Sequence, residues 1–96
     1  MLTRIVKLTI DPSKKKEFES LFYDNQYKIS NFKGCKEVIL LKENHNSNIY
    51  FTYSTWSDED ALELYRSSSV FNNIWRKTKT YFCDRPQAWS LNKIAK

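Results

Sequence analysis

The chain of 96 residues holds one glycine, two prolines, two cysteines, one histidine and one methionine. Each shortage removes a class of explanation. With Gly34 alone, no glycine-rich loop can wrap a phosphate chain and no nucleophile elbow can be spelled. Cys35 and Cys83 stand far apart and form no C-x-x-C pair, so neither a disulfide framework nor a redox motif is indicated. Structural zinc generally needs four Cys or His ligands in close pairs, and His45 with two separated cysteines cannot supply that set. No metal and no other cofactor is expected. No apolar stretch approaches the ~20 residues of a membrane span, and the first residues lack the apolar core of a secretion signal. The expectation is a cytoplasmic protein with no membrane partner.

Aromatic side chains are abundant instead: six Phe, six Tyr and three Trp. Such side chains fill cores first, and they also line small-molecule pockets and subunit interfaces. The net charge of +5 comes from 16 Lys and Arg against 11 Asp and Glu. These charges are scattered, and Lys14-Lys15-Lys16 reads as the wet face of a helix. Without a motif that reads bases, nucleic acid is not an expected partner. The length suits one domain over residues 1–96 with one core. So small a domain buries a modest share of its surface, and pairing with a second copy would bury more.

Leu2, Val6, Leu8 and Ile10 alternate with Thr3, Lys7 and Thr9, the period of two that a strand imposes. Asp11-Pro12-Ser13 then caps and opens a helix, on which Phe18, Leu21, Phe22, Ile29 and Phe32 recur at helical spacing. Gly34 sits where a left-handed helix end would need it. Cys35 to Lys42 and Ile49 to Trp56 are rich in β-branched and aromatic residues, and the polar stretch from Glu43 to Asn48 joins them as a hairpin. Ser57 is the expected cap of a second helix, with Asp60 in reciprocal position and acidic residues at its positive end. Ser67-Ser68-Ser69 predicts a kink or restart, after which Phe71, Ile74, Trp75, Thr78 and Phe82 resume a helical stripe. Pro86 ends it, and Gln87 to Ile94 reads as an edge strand.

This β-α-β-β-α-β order, with right-handed crossovers, predicts an α+β, ferredoxin-like domain: a four-stranded antiparallel sheet with its helices on one face. Tyr50, Phe51, Tyr53, Trp56, Trp89 and Leu91 give both faces of that sheet apolar area. The uncovered face predicts a homodimer.

The segment from Phe51 to Phe71, with Asn72, Asn73 and Trp75 after it, resembles the antibiotic biosynthesis monooxygenase (ABM) family. A strand ends in Trp56, a Ser-x-Glu-x-Ala start follows at Ser57, Glu59 and Ala61, and a broken helix carries a small-residue link and Phe71. Pro12, Gly34-Cys35 and Gln87-Ala88-Trp89 extend the resemblance over nearly the whole chain. It implies a dimeric α/β barrel, with a pocket in each subunit between the sheet and the helices. It also implies a cofactor-independent monooxygenase, an oxidoreductase acting on a small aromatic, phenolic or quinol substrate.

A cofactor-free reaction must hold a phenol or enol so that its electron-rich anion passes an electron to oxygen in a water-poor cavity. The candidate catalytic residues are Tyr65, Asn72 and Trp75: Tyr65 orients a substrate oxygen and Asn72 polarises a carbonyl. The candidate substrate-binding residues are Phe22, Tyr23, Tyr53, Trp56 and Phe71. Phe22, Trp56 and Phe71 also lie on periodic apolar faces, where core packing is the weightier explanation, while Tyr65 and Trp75 add polar tips that a buried site must satisfy. Cys35 suits a small buried strand residue, and His45 a solvated turn. One alternative is a non-catalytic dimer that binds a small hydrophobic molecule. Haem degradation, a third activity in the family, is disfavoured: where that branch carries its iron-ligating His, this chain has Trp75, whose indole N–H offers no lone pair to iron.

Overall fold

The structure, a computed structural model, describes residues 1–45 and 47–95. Asn46, in the turn expected between the second and third strands, lies outside the described residues. The elements run β1 (Leu2–Thr9), α1 (Lys15–Ser30), β2 (Cys35–Lys42), β3 (Ile49–Trp56), α2 (Glu59–Arg66), α3 (Ser69–Thr78) and β4 (Gln87–Asn92). The strands form one antiparallel sheet in the order β2-β3-β1-β4, so the fold is α+β and ferredoxin-like, with β4 on an edge as Pro86 predicts.

Register sorts every strand residue onto one of two faces, because side chains alternate. Leu2, Arg4, Val6 and Leu8 of β1 lie opposite Trp56, Ser54, Thr52 and Tyr50 of β3, on the helix-covered face. Ile5 lies opposite Tyr53 of β3 and Trp89 of β4, and Tyr53 lies opposite Ile39 of β2, all on the other face. Trp89, Leu91 and Leu41 are exposed there.

Beneath the helices the buried side chains fall into two groups rather than one. Leu2, Phe22, Ile29, Val38, Trp56, Ala61, Leu62 and Tyr65 pack at one end. Leu8, Ile10, Phe18 and Tyr50 pack at the other, where the Tyr50 hydroxyl donates to Glu19 Oε2 at 2.5 Å. Between the groups, the central rows of the sheet present Arg4, Thr52 and Ser54, which cannot continue an apolar core.

Asp11 caps a 3-10 turn over Pro12–Lys14 by accepting from the Ser13 N–H at 2.9 Å, and α1 continues from it. Gly34 is left-handed at φ +90°, but not as the cap of α1: that helix ends at Ser30 with Asn31 right-handed, because the Asn31 N–H still bonds back to the Tyr27 and Ile29 carbonyls. Gly34 instead sits in the turn into β2, where the Cys35 N–H donates to the Phe32 carbonyl at 2.9 Å, and a Cβ on it would come within 2.4 Å of Ala61 Cβ. The single glycine therefore serves both the left-handed backbone and the close approach of α2.

The cap of α2 differs from the expectation. Asp58, not Ser57, accepts from the Ala61 N–H at 2.8 Å, because the helix begins at Glu59 and Ser57 is one position too early. Ser57 instead donates its N–H to the Gly34 carbonyl at 2.8 Å. The serine stretch produces a restart: Ser67 Oγ donates to the Glu63 carbonyl at 2.9 Å, while Ser68 Oγ accepts from the Phe71 N–H at 3.2 Å and caps α3.

The stripe after it is shorter than predicted. Thr78 Oγ1 and Thr80 Oγ1 donate back to the Ile74 and Lys77 carbonyls, α3 ends at Thr78, and one 3-10 turn covers Lys79–Tyr81. Phe82 is extended and bridges Ile10. At the end of the chain β4 stops at Asn92 rather than Ile94, which is exposed.

Candidate functional site

The gap between the two packed groups is a cavity of about 330 Å³. Its floor is the covered face of the sheet, with Arg4, Val6, Thr52, Ser54, Trp56 and Val38. Phe18, Leu21, Phe22, Asn25 and Ile29 of α1 form one wall, because helical spacing stacks them on a single side. The other wall is Leu62, Tyr65 and Arg66 of α2 with Phe71, Ile74, Trp75 and Thr78 of α3. Pro86, Gln87 and Ala88 of the edge strand complete it. The restart at Ser67-Ser68 brings the ends of two helices to one cavity, which a straight helix of the same length would not do.

An aromatic ladder runs along this second wall. The Tyr65 ring stacks on Trp56 at 4.9 Å between centroids and meets Phe32 and Phe71 edge-on at 5.3 Å each. Phe71 stacks on Trp75 at 5.7 Å, and Trp75 meets Phe82 edge-on at 5.4 Å. Offset and edge-to-face pairs at these spacings add stability beyond area burial and fix ring orientation. A flat guest ring between such walls meets faces that are already set.

The polar groups are few. Trp56 Nε1 donates to Ser54 Oγ at 2.9 Å, which holds that indole in place on the floor. Asn25 Nδ2 donates to the Leu21 carbonyl at 2.8 Å within α1. Arg4 donates to Ser90 Oγ at 3.0 Å, and Arg66 pairs with Glu63 Oε1 at 3.1 Å. Burial raises the Tyr65 phenol above its ordinary value of 10.0, and Cys35 adds to the shift. Tyr65 therefore stays protonated at neutral pH; it can donate a hydrogen bond but is no base. Burial likewise raises the Cys35 thiol, which leaves it a poor nucleophile. Among the described residues the cavity is lined by no His, Asp or Glu, and no cluster of three such side chains with Cys is placed to hold a metal ion.

Of the residues singled out in the sequence, Phe22, Trp56, Tyr65, Phe71 and Trp75 meet around this cavity. Asn72, one residue from Phe71 on α3, is exposed and lies outside the lining. Tyr23, next to Phe22 on α1, is 70% exposed. Tyr53 is on the open face of the sheet, since its neighbours Thr52 and Ser54 face the cavity. The residues that sequence reading passed over are Arg4, Thr52, Ser54, Asn25 and Arg66. Their signal was present on β1 and β3: Arg4 shares parity with Leu2 and Val6, as Thr52 and Ser54 do with Tyr50 and Trp56.

The sequence profile of the family described as antibiotic biosynthesis monooxygenase matches residues 1–77. Three solved structures show how widely the fold is shared. An antibiotic biosynthesis monooxygenase superposes with a TM-score of 0.91 at 15% identity, covering 99% of this chain and 100% of its own. A conserved protein from Methanosarcina mazei Go1 gives 0.89 at 22% identity, covering 97% and 93%. SnoaB, a cofactor-independent oxygenase from Streptomyces nogalater, gives 0.87 at 19% identity, covering 99% and 94%. At these identities the likeness is one of fold. Among curated proteins, none matches the chain by sequence. No helix among the described residues is long and apolar enough to cross a membrane.

Proposed function

The chain belongs to the antibiotic biosynthesis monooxygenase family, and from that premise we propose that it is a cofactor-independent monooxygenase of a small phenolic or quinol substrate bound in this cavity. The observation that carries the reading is the cavity itself: a volume of about 330 Å³ with fixed aromatic walls and few polar groups. That size is at the lower end of the ~300–1,000 Å³ typical of small-molecule pockets, so a ligand of one or two fused rings is expected.

In the proposed reaction the substrate supplies its own electrons. A phenol with a free para position, such as 1-naphthol, loses its phenolic proton, and the ring anion passes one electron to O₂. Combination at the para carbon forms a C–O bond, and the O–O bond then breaks. One oxygen atom becomes the second carbonyl of a quinone, and the other leaves as water with the two hydrogens lost from the ring and the hydroxyl. Trp56, Phe71 and Phe22 would hold the ring, and Tyr65 and Trp75 would donate hydrogen bonds where oxygen charge develops. Exclusion of water by the walls would favour that charge transfer over side reactions.

The lack of a His, Asp or Glu in the lining favours a second reading, a non-catalytic binder of a small hydrophobic molecule in the same cavity. An oxygen electrode separates the two. Purified protein should raise oxygen uptake above buffer for at least one member of a panel of naphthols and quinols. Thermal stabilisation by those compounds without extra uptake would support the binder instead.

We also propose that two copies pair through the open sheet face, where Ile5, Ile39, Phe51, Tyr53 and Trp89 form an apolar surface without a helix over it.

A further inference from the structure

Of the two cations in the cavity's lining, Arg4 is the partly buried one and Arg66 the exposed one. Arg4 projects from a central strand, between Ser54 on one side and Ser90 on the other, onto the face that the helices cover. A guanidinium carries five N–H donors. Among the described residues its one hydrogen-bond acceptor is Ser90 Oγ at 3.0 Å, a neutral group, and no carboxylate lies within salt-bridge distance. Glu63, whose charge acts on Arg4, is already paired with Arg66 at 3.1 Å. Among the described residues the cavity lining thus holds two cations, Arg4 and Arg66, and no carboxylate, so its charged end is positive. Partial burial, and then the charge of Arg66, depress the Arg4 guanidinium below its ordinary value, as expected for a cation lacking its counter-ion.

We propose that Arg4, with Arg66 beside it, is an oxyanion-binding position. The ligand of this cavity is then an aromatic anion, with its carboxylate or ionised hydroxyl on Arg4 and its ring against Trp56, Phe71 and Trp75. The inference rests on reading the cavity as the substrate site and deepens it. A guanidinium binds an oxyanion through parallel charge-assisted hydrogen bonds, and in an apolar surround such bonds are stronger than in water. It also supplies what the lining lacks. With no carboxylate or imidazole to take a phenolic proton, a fixed positive charge achieves the same end by favouring the bound anion, and the proton leaves to solvent.

The test is equilibrium binding, followed by quenching of tryptophan fluorescence, with 1-hydroxy-2-naphthoate, its methyl ester and 1-naphthol as probes. In the unmodified protein the acid is expected to bind at least tenfold more tightly than the ester if the carboxylate is the recognised group. If the ionised hydroxyl is recognised, bound 1-naphthol is expected to show naphtholate absorbance at least one pH unit below its range in free solution. In R4Q either preference should vanish, and R4K should keep part of it; where the carboxylate is the recognised group, the ester, which lacks that anion, should bind R4Q within twofold of its original affinity. The comparison of acid with ester in unmodified protein stands even if R4Q does not fold. Equal binding of acid and ester together with unshifted naphthol ionisation overturns the proposal, as does a preference that R4Q retains. Failure of all three probes to bind overturns the site reading beneath it. Anion-selective binding without oxygen uptake upholds Arg4 and removes the oxygenase.

Discussion

Trp75, Tyr65, Trp56, Phe71 and Phe22 were legible from the sequence because helical spacing and a strand end place them on inward faces, and their neighbours were not separable by spacing alone. Tyr23 and Asn72 lie one residue from cavity-lining positions, a rotation of ~100° on a helix that carries a side chain to solvent. Tyr53 lies one residue from Ser54, a half-turn of the strand that sends it to the opposite face. Arg4 carries a weaker signal, a lone charge within an apolar alternation, and only its parity with Leu2 and Val6 marks it as inward-facing. Trp75→Phe keeps the ring that stacks on Phe71 but removes the indole N–H. It should lower kcat by roughly tenfold to a hundredfold with KM within about twofold, as expected for a donor used mainly in the transition state.

Two tyrosines give a pH prediction. Tyr50, through burial and then its hydrogen bond to Glu19, and Tyr65, through burial and then Cys35, are both held above 10.0. The unfolded chain releases these protons near pH 10 while the folded one keeps them, so stability falls as pH rises above about 10 and is unaffected by these groups below it. Urea unfolding should show that decline, and Y50F and Y65F should each flatten it. An unchanged slope in both variants would contradict the assignment.

At the scale of elements, most boundaries followed from local chemistry. The serines between α2 and α3 advertise a restart because their hydroxyls bond to neighbouring backbone; Gly34 advertises a left-handed residue, which proves to belong to the turn into β2 and not to the end of α1 at Ser30. The far end of α3 was not legible: Phe82 fits the helical stripe, yet back-bonding by Thr78 and Thr80 and the bridge to Ile10 draw it into extended chain. Nor could spacing choose between Ser57 and Asp58 as the cap, since both are good capping residues one position apart. Asp58→Ala should cost about 1 kcal/mol in chemical denaturation, whereas Ser57→Ala should cost a few tenths at most. Gly34→Ala combines a left-handed backbone with a Cβ 2.4 Å from Ala61, and should cost roughly 2–4 kcal/mol. In a domain of this size that lowers Tm by about 10 °C or more.

For the molecule as a whole, element order and strand alternation were enough to predict the sheet, the covered face and the open one, because right-handed crossovers leave little freedom. What the order does not contain is the cavity. An apolar core and a cavity share the same inward positions, and only the polar central rows at Arg4, Thr52 and Ser54 tell them apart. The open face carries its own expectation: sedimentation should give the mass of a dimer, and the double variant F51E/W89E should sediment as a monomer.

Oxygenation within the cavity is decided by following 1-naphthol under ¹⁸O₂ with the unmodified protein and with Ile74→Trp, which fills the cavity from α3. The expected result is naphthoquinone carrying one labelled oxygen, formed faster than in buffer by the unmodified protein and at the buffer rate by the filled, still-folded variant. Product formation at the buffer rate by both proteins, or equal acceleration by both, would contradict it.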